Sequence, residues 1–182
     1  MKISIKFTIT VFLILFLAPI NCFCQKSETT DTTNLNLISA AREIMVDAGT
    51  CALITLDKEG RPRVRTMDPF LPENDLTVWF GTNSKSRKAT QIKQDQRVTL
   101  YYLDSDASGY VMLYGLAELV DNQKEKEKRW KEEWEDFYPN NKEDYILIKV
   151  IPEWMEISSV KRGIAGDTIT WQPQGVLFTP KQ

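Results

Sequence analysis

Residues 110–120, YVMLYGLAELV, limit the fold more than any other stretch of this chain. They read as one long alternating strand whose two faces must both be covered. Around it lie shorter β-rich runs at 50–56 (TCALITL), 62–67 (PRVRTM), 75–82 (DLTVWFGT), 97–103 (RVTLYYL), 145–150 (YILIKV) and 154–158 (WMEIS). Asp57-Lys58-Glu59-Gly60 and Asp106-Ala107-Ser108-Gly109 are turn chemistry between neighbouring runs. Short antiparallel strands around one long strand predict a mostly β, α+β domain, a small β-barrel with helices packed outside.

Three helices are expected. Leu37, Ile38, Ala41, Ile44, Met45 and Ala48 share one face of a helix over 35–48, which Gly49 stops. A second helix runs from Ser86 to Gln94. The third is the charged stretch DNQKEKEKRWKEEWEDF at 121–137, a surface helix whose narrow stripe is Trp130, Trp134 and Phe137. A short β-like stretch is expected at Thr168–Trp171, followed by coil.

The start of the chain lies outside this domain. Residues 1–24 read as an export leader: Lys2 and Lys6, then an apolar core at 7–20, then a short run with Cys22 and Cys24. That core is shorter than the roughly 20 apolar residues of a membrane helix, so no integral membrane segment is expected in the mature chain. Cleavage near Cys24–Gln25 and a periplasmic location follow, with lipid anchoring through a cysteine as the alternative. Residues 25–34 (QKSETTDTTN) carry no apolar residue and read as a polar tether. Residues 35–182 suffice for one core and one domain. Cys51 is left without an intrachain partner and reads as a small buried residue.

The chain contains no histidine. That excludes Ser-His and Cys-His catalysis, histidine-ligated zinc and the common histidine ligation of haem, and no metal site is expected. Without Lys2 and Lys6, 21 basic side chains face 25 acidic ones, which does not point to nucleic acid.

Against this background residues 82–94, TNSKSRKATQIKQ, stand out. Backbone N–H groups at a helix start have no internal partners and together carry about half a positive charge. Acids belong there, yet Arg87 and Lys88 occupy the first turn. Placing two cations there costs about 0.5 kcal/mol or more unless an anion sits between them. On the strand at 62–67, Arg63 and Arg65 point the same way, about 7 Å apart, and an arginine fork suits a phosphate oxygen pair. A strand lying near the helix start would bring Arg65, Arg87, Lys88, Ser86 and Thr82 onto one dianion. Solvated surface cations are the competing reading.

The string TN-x-x-SRKA-x-QI followed by RV-x-L resembles the flavin-phosphate segment of the pyridoxamine 5′-phosphate oxidase-like split-barrel proteins. The preceding G-x-P-x-x-R hairpin (Gly60, Pro62, Arg65) and the strand pattern V-M-x-x-G-x-A-E at 111–118 are similar to theirs, in the same order. The charged Trp-bearing segment and YILIKVIPEWMEI resemble the general stress protein branch. The resemblance implies an FMN-binding split β-barrel, a homodimer with flavin at the subunit interface. It implies that Arg65, Arg87 and Lys88 hold the FMN phosphate, with Ser86 and Thr82 donating hydrogen bonds. Thr66 and Met67 would offer backbone groups to the isoalloxazine edge. Tyr110 falls where the oxidase has a flavin-contacting glutamine.

The departures lie on the substrate side. Phe70 stands where the oxidase has a lysine that grips the substrate phosphate, the C-terminal Arg-x-His motif cannot exist, and the substrate insertion is replaced by the charged segment around Trp130. The expectation is an exported FMN-dependent oxidoreductase of undefined substrate, not a vitamin B6 oxidase; no catalytic acid or base is assigned. A non-catalytic flavin-binding stress protein, a barrel using deazaflavin or haem, and an empty interaction domain are the alternatives. Trp79 reads as core, and Trp154 and Trp171 as either core or pocket lining.

Overall fold

The computed structural model describes residues 27–136, 138 and 143–179, with side chains from residue 32 onward. The leader at 1–24 and Phe137 lie outside the described residues. The chain runs α1 (Ser27–Ala48), β1 (Cys51–Leu56), β2 (Pro62–Met67), β3 (Val78–Asn83), α2 (Arg87–Gln94), β4 (Arg97–Leu103), β5 (Gly109–Val120), α3 (Gln123–Lys128), a 3-10 turn (Glu132–Trp134), β6 (Tyr145–Ser159) and β7 (Gln174–Leu177). One antiparallel sheet holds all seven strands in the order β2-β1-β4-β5-β6-β3, with β7 added on β6. The edges β2 and β3 approach each other just past β2, where the Phe70 N–H donates to the Trp79 carbonyl at 2.9 Å. The domain is therefore the mostly β split barrel with peripheral helices that the sequence predicts.

The long strand β5 organises the core as expected. Val111, Leu113 and Ala117 are fully buried, and Tyr110, Met112 and Tyr114 on the other face are half-buried. Against the inner face packs α1 through Leu37, Ala41, Ile44 and Met45. Each fully buried Leu or Ile there contributes about 1.5–3 kcal/mol. Cys51 is buried as expected, and burial pushes its thiol up to about 12, which makes it chemically inert at neutral pH. Gly60 takes φ 74° in the β1–β2 turn, a conformation that costs a glycine nothing.

Five local expectations are corrected. Helix α1 begins at Ser27 and not at Leu35, so the polar residues from Ser27 to Asn34 are helical; burial against the barrel still starts only at Leu37. The two strands expected at 145–150 and 154–158 are one strand, β6. Pro152 lies within it, at a register shift where Tyr114 opposes Trp154 and Gly115 opposes Pro152. At that point β6 has passed the last β3 pair, at Val150, and has not yet met β7, at Trp154, so the proline sits where β6 is paired on one side only, at an irregularity of that pairing. Residues 168–170 form a turn, because the Asp167 carboxylate accepts from the N–H groups of Ile169 and Thr170 and from the Thr170 hydroxyl. The strand β7 lies where coil was expected.

The fifth correction is the charged stretch at 121–137. The helix stops after Lys128, and Arg129 leaves helical geometry at φ −116°. Arg129 is buried with its guanidinium 3.7 Å over the Trp79 ring, paired to Glu73 at 3.1 Å and to Glu125. Its carbonyl accepts from the Tyr145 hydroxyl at 2.7 Å. Trp130 and Trp134 then turn onto Tyr145, at 5.3 and 5.6 Å between ring centroids. They form a second, aromatic core with Trp79, Tyr145 and Leu147. Gly81 leaves the room for it: a Cβ there would stand 2.4 Å from Trp134.

Candidate functional site

The site is built where β2, the end of β3 and the start of α2 meet. Ser86 caps α2 with its Oγ accepting from the Ala89 N–H, and Thr82 Oγ1 lies 3.2 Å from the same oxygen. Among the described residues the backbone N–H groups of Arg87 and Lys88 have no acceptor. They are the orphan donors that a helix start leaves over.

Arg65 reaches this point from β2. It pairs with Leu53 in the β1 register and turns inward beneath α2. Its guanidinium donates to the Leu53 carbonyl at 3.1 Å, the Thr55 hydroxyl at 2.7 Å and Gln91 Oε1 at 3.0 Å. All three acceptors are neutral. Thr55 also donates to Gln91 Oε1 at 2.7 Å, so one buried amide fixes the arginine and the helix together.

The electrostatics are those of an unfinished site. Burial, and then the Arg87 charge, hold the Arg65 guanidinium below its ordinary pKa. Burial, and then Arg65, do the same to the Lys88 ammonium. Among the described residues no carboxylate pairs with Arg65, Arg87 or Lys88. Three cations held together with no acid ion-paired to any of them among the described residues, beside orphan N–H groups and two hydroxyls, form a donor set for an anion of high charge. Asp57 and Glu59 line the cleft beside Arg87, but Asp57 is paired to Arg61 and Arg63, and Glu59 to Arg61 and Lys58. Arg63 does not join them: its guanidinium is 2.7 Å from Asp57.

The structure thus brings Arg65, Thr82, Ser86, Arg87 and Lys88 together. Thr66 and Met67 follow Arg65 on β2, a sheet edge whose outward backbone groups pair with no strand among the described residues. Tyr110 is not brought to this site. It lies on the outer face of β5, three strands from β2, with its hydroxyl donating to Glu156 at 2.9 Å and its ring stacked 5.4 Å from Tyr101. Burial and the Glu156 hydrogen bond push its hydroxyl up to about 12.

Sequence reasoning missed Thr55 and Gln91. The available signal was Gln91 itself, a polar residue three and four positions after Lys88 and Arg87, hence on their side of the helix. Trp79 is core, as expected. Trp154 is half-buried on the outer face, and Trp171 stands 85% exposed.

The sequence profile of the pyridoxamine 5′-phosphate oxidase like family matches residues 37–159, two-thirds of the chain, and the protein belongs to that family. The curated proteins give no match. Among solved structures, a Clostridium acetobutylicum protein related to general stress protein 26 of Bacillus subtilis superimposes with a TM-score of 0.64. It shares 19% identity, over 79% of this chain and 95% of that one. An FMN-binding, pyridoxamine 5′-phosphate oxidase-related protein of Nostoc punctiforme gives 0.53 at 16% identity, over 81% and 96%. A haem-binding protein of Mycobacterium smegmatis gives 0.58 at 14% identity, over 77% and 57%. At these identities the likeness establishes the shared fold, on which one relative binds FMN and another haem.

Proposed function

We propose that this protein binds FMN by its phosphate and acts as an FMN-dependent oxidoreductase on a substrate other than pyridoxamine phosphate. The observation that carries the reading is the cation trio Arg65, Arg87 and Lys88 with no ion-paired carboxylate among the described residues. The donor set fits a phosphate dianion: two guanidinium groups, one ammonium, two hydroxyls and the α2 N-terminus. Arg65, Arg87 and Lys88 hold the phosphate. Ser86 and Thr82 donate their hydroxyl protons to it, and the free edge of β2 at Thr66 and Met67 offers backbone groups to the ring. FMN supplies a hydride acceptor at its N5 atom when bound.

Tyr110 enters this reading only through a second copy of the chain. Three strand spacings, about 14 Å, separate it from β2, and it faces the opposite side of the sheet. Its outer face also carries Ile54, Tyr101, Met112, Tyr114 and Trp154, a surface that a homodimer would cover. Flavin then lies between the subunits, held by the cations of one and touched by Tyr110 of the other. Light scattering should return twice the chain mass.

The haem alternative is disfavoured by the absence of histidine. Mass spectrometry of the released cofactor separates FMN from a deazaflavin. A flavin-binding role without turnover is favoured by one observation. Phe70, at the position of the oxidase lysine, packs edge-on to Trp134 at 5.7 Å, and the adjacent Lys131 is spent on Asp68. Bleaching of bound flavin by NAD(P)H or another donor decides between the two. Residues 1–24 are read as an export leader to the periplasm, cleaved or lipid-anchored, and the mass of mature protein from its native envelope tests this. Among the described residues no helix is long and apolar enough to cross a membrane.

The deciding experiment is a visible absorption spectrum after incubation with FMN and desalting. Retained flavin in the wild type and its loss in Arg87→Ala/Lys88→Ala is the expected result. A variant that retains flavin like the wild type overturns the phosphate assignment.

A further inference from the structure

A second cleft opens away from the cation trio, on the far end of the outer face from Tyr110. It encloses about 500 Å³, the size of a small-ligand site, over the stretch of β6 that neither β3 nor β7 pairs. Leu116, Ile151, Pro152 and Phe178 give it an apolar lining. Four carboxylates line it as well, Glu73, Asp75, Glu118 and Glu153, against one cation, Lys149.

These carboxylates are not equivalent. Glu73 is engaged by Arg129 and by the Trp79 indole N–H, and Asp75 accepts from the Thr77 N–H. Glu118 and Glu153 have no ion pair or side-chain hydrogen bond among the described residues. For Glu118 a partner stands ready, since Lys149 lies directly opposite in the β5–β6 register. That pair is not made. The Lys149 ammonium lies 5.6 Å from the centre of the Trp79 ring instead.

A metal ion does not explain the acids, because no group of three or more Asp, Glu, Cys or His among the described residues is arranged to hold one. An anionic ligand would meet unpaired like charge. A neutral apolar one would bring carboxylates out of water without compensation. An organic cation with an apolar body meets both halves of the lining. The Leu116–Ile151 pair lies between Glu118 at one end of the patch and Glu153 at the other, so the charge of such a ligand meets one of the two carboxylates while its body covers Leu116 and Ile151.

We propose that this cleft is a binding site for a small organic cation, an amine or quaternary ammonium carrying an apolar group, separate from the flavin site. The probe is benzyltrimethylammonium, with phenylacetate as its anionic counterpart, titrated into the full chain while amide NMR shifts are followed. The cation should produce saturable shifts at Leu116, Glu118, Ile151 and Glu153 that weaken with added salt, and phenylacetate should produce none. Glu118→Gln/Glu153→Gln should weaken binding roughly tenfold, and Lys149→Gln should strengthen it a few-fold, because each changes the same local charge in opposite senses. FMN retention should be unchanged in both variants, so a failure here and a failure of the flavin reading are told apart. The absence of saturable shifts, equal shifts with phenylacetate, or an affinity indifferent to both charge changes would each overturn the proposal.

Discussion

Two stretches of this chain are dense in charge, and the fold treats them in opposite ways. In residues 82–94 the cations Arg87 and Lys88 stay without an acid, and Arg65 is brought in from β2 to join them. In residues 121–138 each cation that meets the barrel is matched. Lys126 pairs with Asp121, Arg129 with Glu73 and Glu125, and Lys131 with Asp68. The first region holds like charges at the cost of burial and mutual repulsion. The second uses opposite charges to fasten a strap of chain over an aromatic core. Charge density in a sequence is therefore no guide to function until partners are assigned; what marks a site is charge left unmatched.

The comparison breaks most sharply under a pair of substitutions. Arg65→Met should abolish flavin retention, lowering FMN affinity by about a hundredfold or more, as expected for a buried charged contact to phosphate. Yet it should change unfolding free energy by less than about 1 kcal/mol. The desolvated, repelled guanidinium is relieved, and Thr55 and Gln91 still bond each other. Arg129→Met should do the reverse. It removes the ion pairs to Glu73 and Glu125 and the contact to Trp79, and should cost about 2–3 kcal/mol. That is less than a fully buried pair because both carboxylates remain partly exposed. FMN titration and urea unfolding of the two variants measure both arms. Equal effects in both assays would erase the distinction between the regions.

Next in size is the seat of the strap. Gly81→Ala places a methyl carbon where Trp134 lies, and should cost about 1–3 kcal/mol with a red shift of tryptophan emission as Trp134 moves out. Combined with Trp134→Ala, the added cost of the methyl group should largely vanish. Additive losses in the double variant would mean that Gly81 is needed for its backbone and not for the space it leaves.

These cases also show what the sequence made legible. Ser86 as the α2 cap, the Asp57–Gly60 turn and the alternation of β5 rest on local rules, and the structure follows each. The cation cluster was legible because a helix start disfavours Arg87 and Lys88 for a reason internal to the segment. The strap was not. Its sequence favours a continuous helix, and the break at Arg129 comes from Trp79, Glu73 and Tyr145, residues far away in the chain. The buried Gln91–Thr55 pair escaped for the same reason, and β7 is a strand because β6 offers it an edge.

A smaller effect follows from pH. The Lys88 pKa is depressed, first by burial and then by Arg65, so the free site loses this proton at a lower pH than an ordinary lysine. Lys88 titrates lower in the folded chain than in the unfolded one, so its contribution to stability rises with pH across that interval. A bound phosphate reverses the depression. FMN affinity should thus fall as pH rises through the Lys88 transition, and Lys88→Met should bind more weakly at all pH values with that dependence flattened. An unchanged alkaline profile in the variant would remove Lys88 from the site.

The smallest effect should come from Lys131, and its size tests whether the strap is held by its many charges or by one. The Lys131–Asp68 pair is short at 2.5 Å, but the Asp68 side chain is 58% exposed. Solvent and salt screen such a pair, and ordering the long lysine side chain offsets part of the attraction. The Lys131 ammonium also lies 5.3 Å from the Phe70 ring and 5.4 Å from Trp134, contacts that its aliphatic stem can keep without the charge. Lys131→Met should therefore change unfolding free energy by no more than about 0.5 kcal/mol and leave flavin retention intact. A loss comparable to Arg129→Met would mean that the strap is an electrostatic network. A negligible one places its stability in the single buried guanidinium and the aromatic rings beneath it.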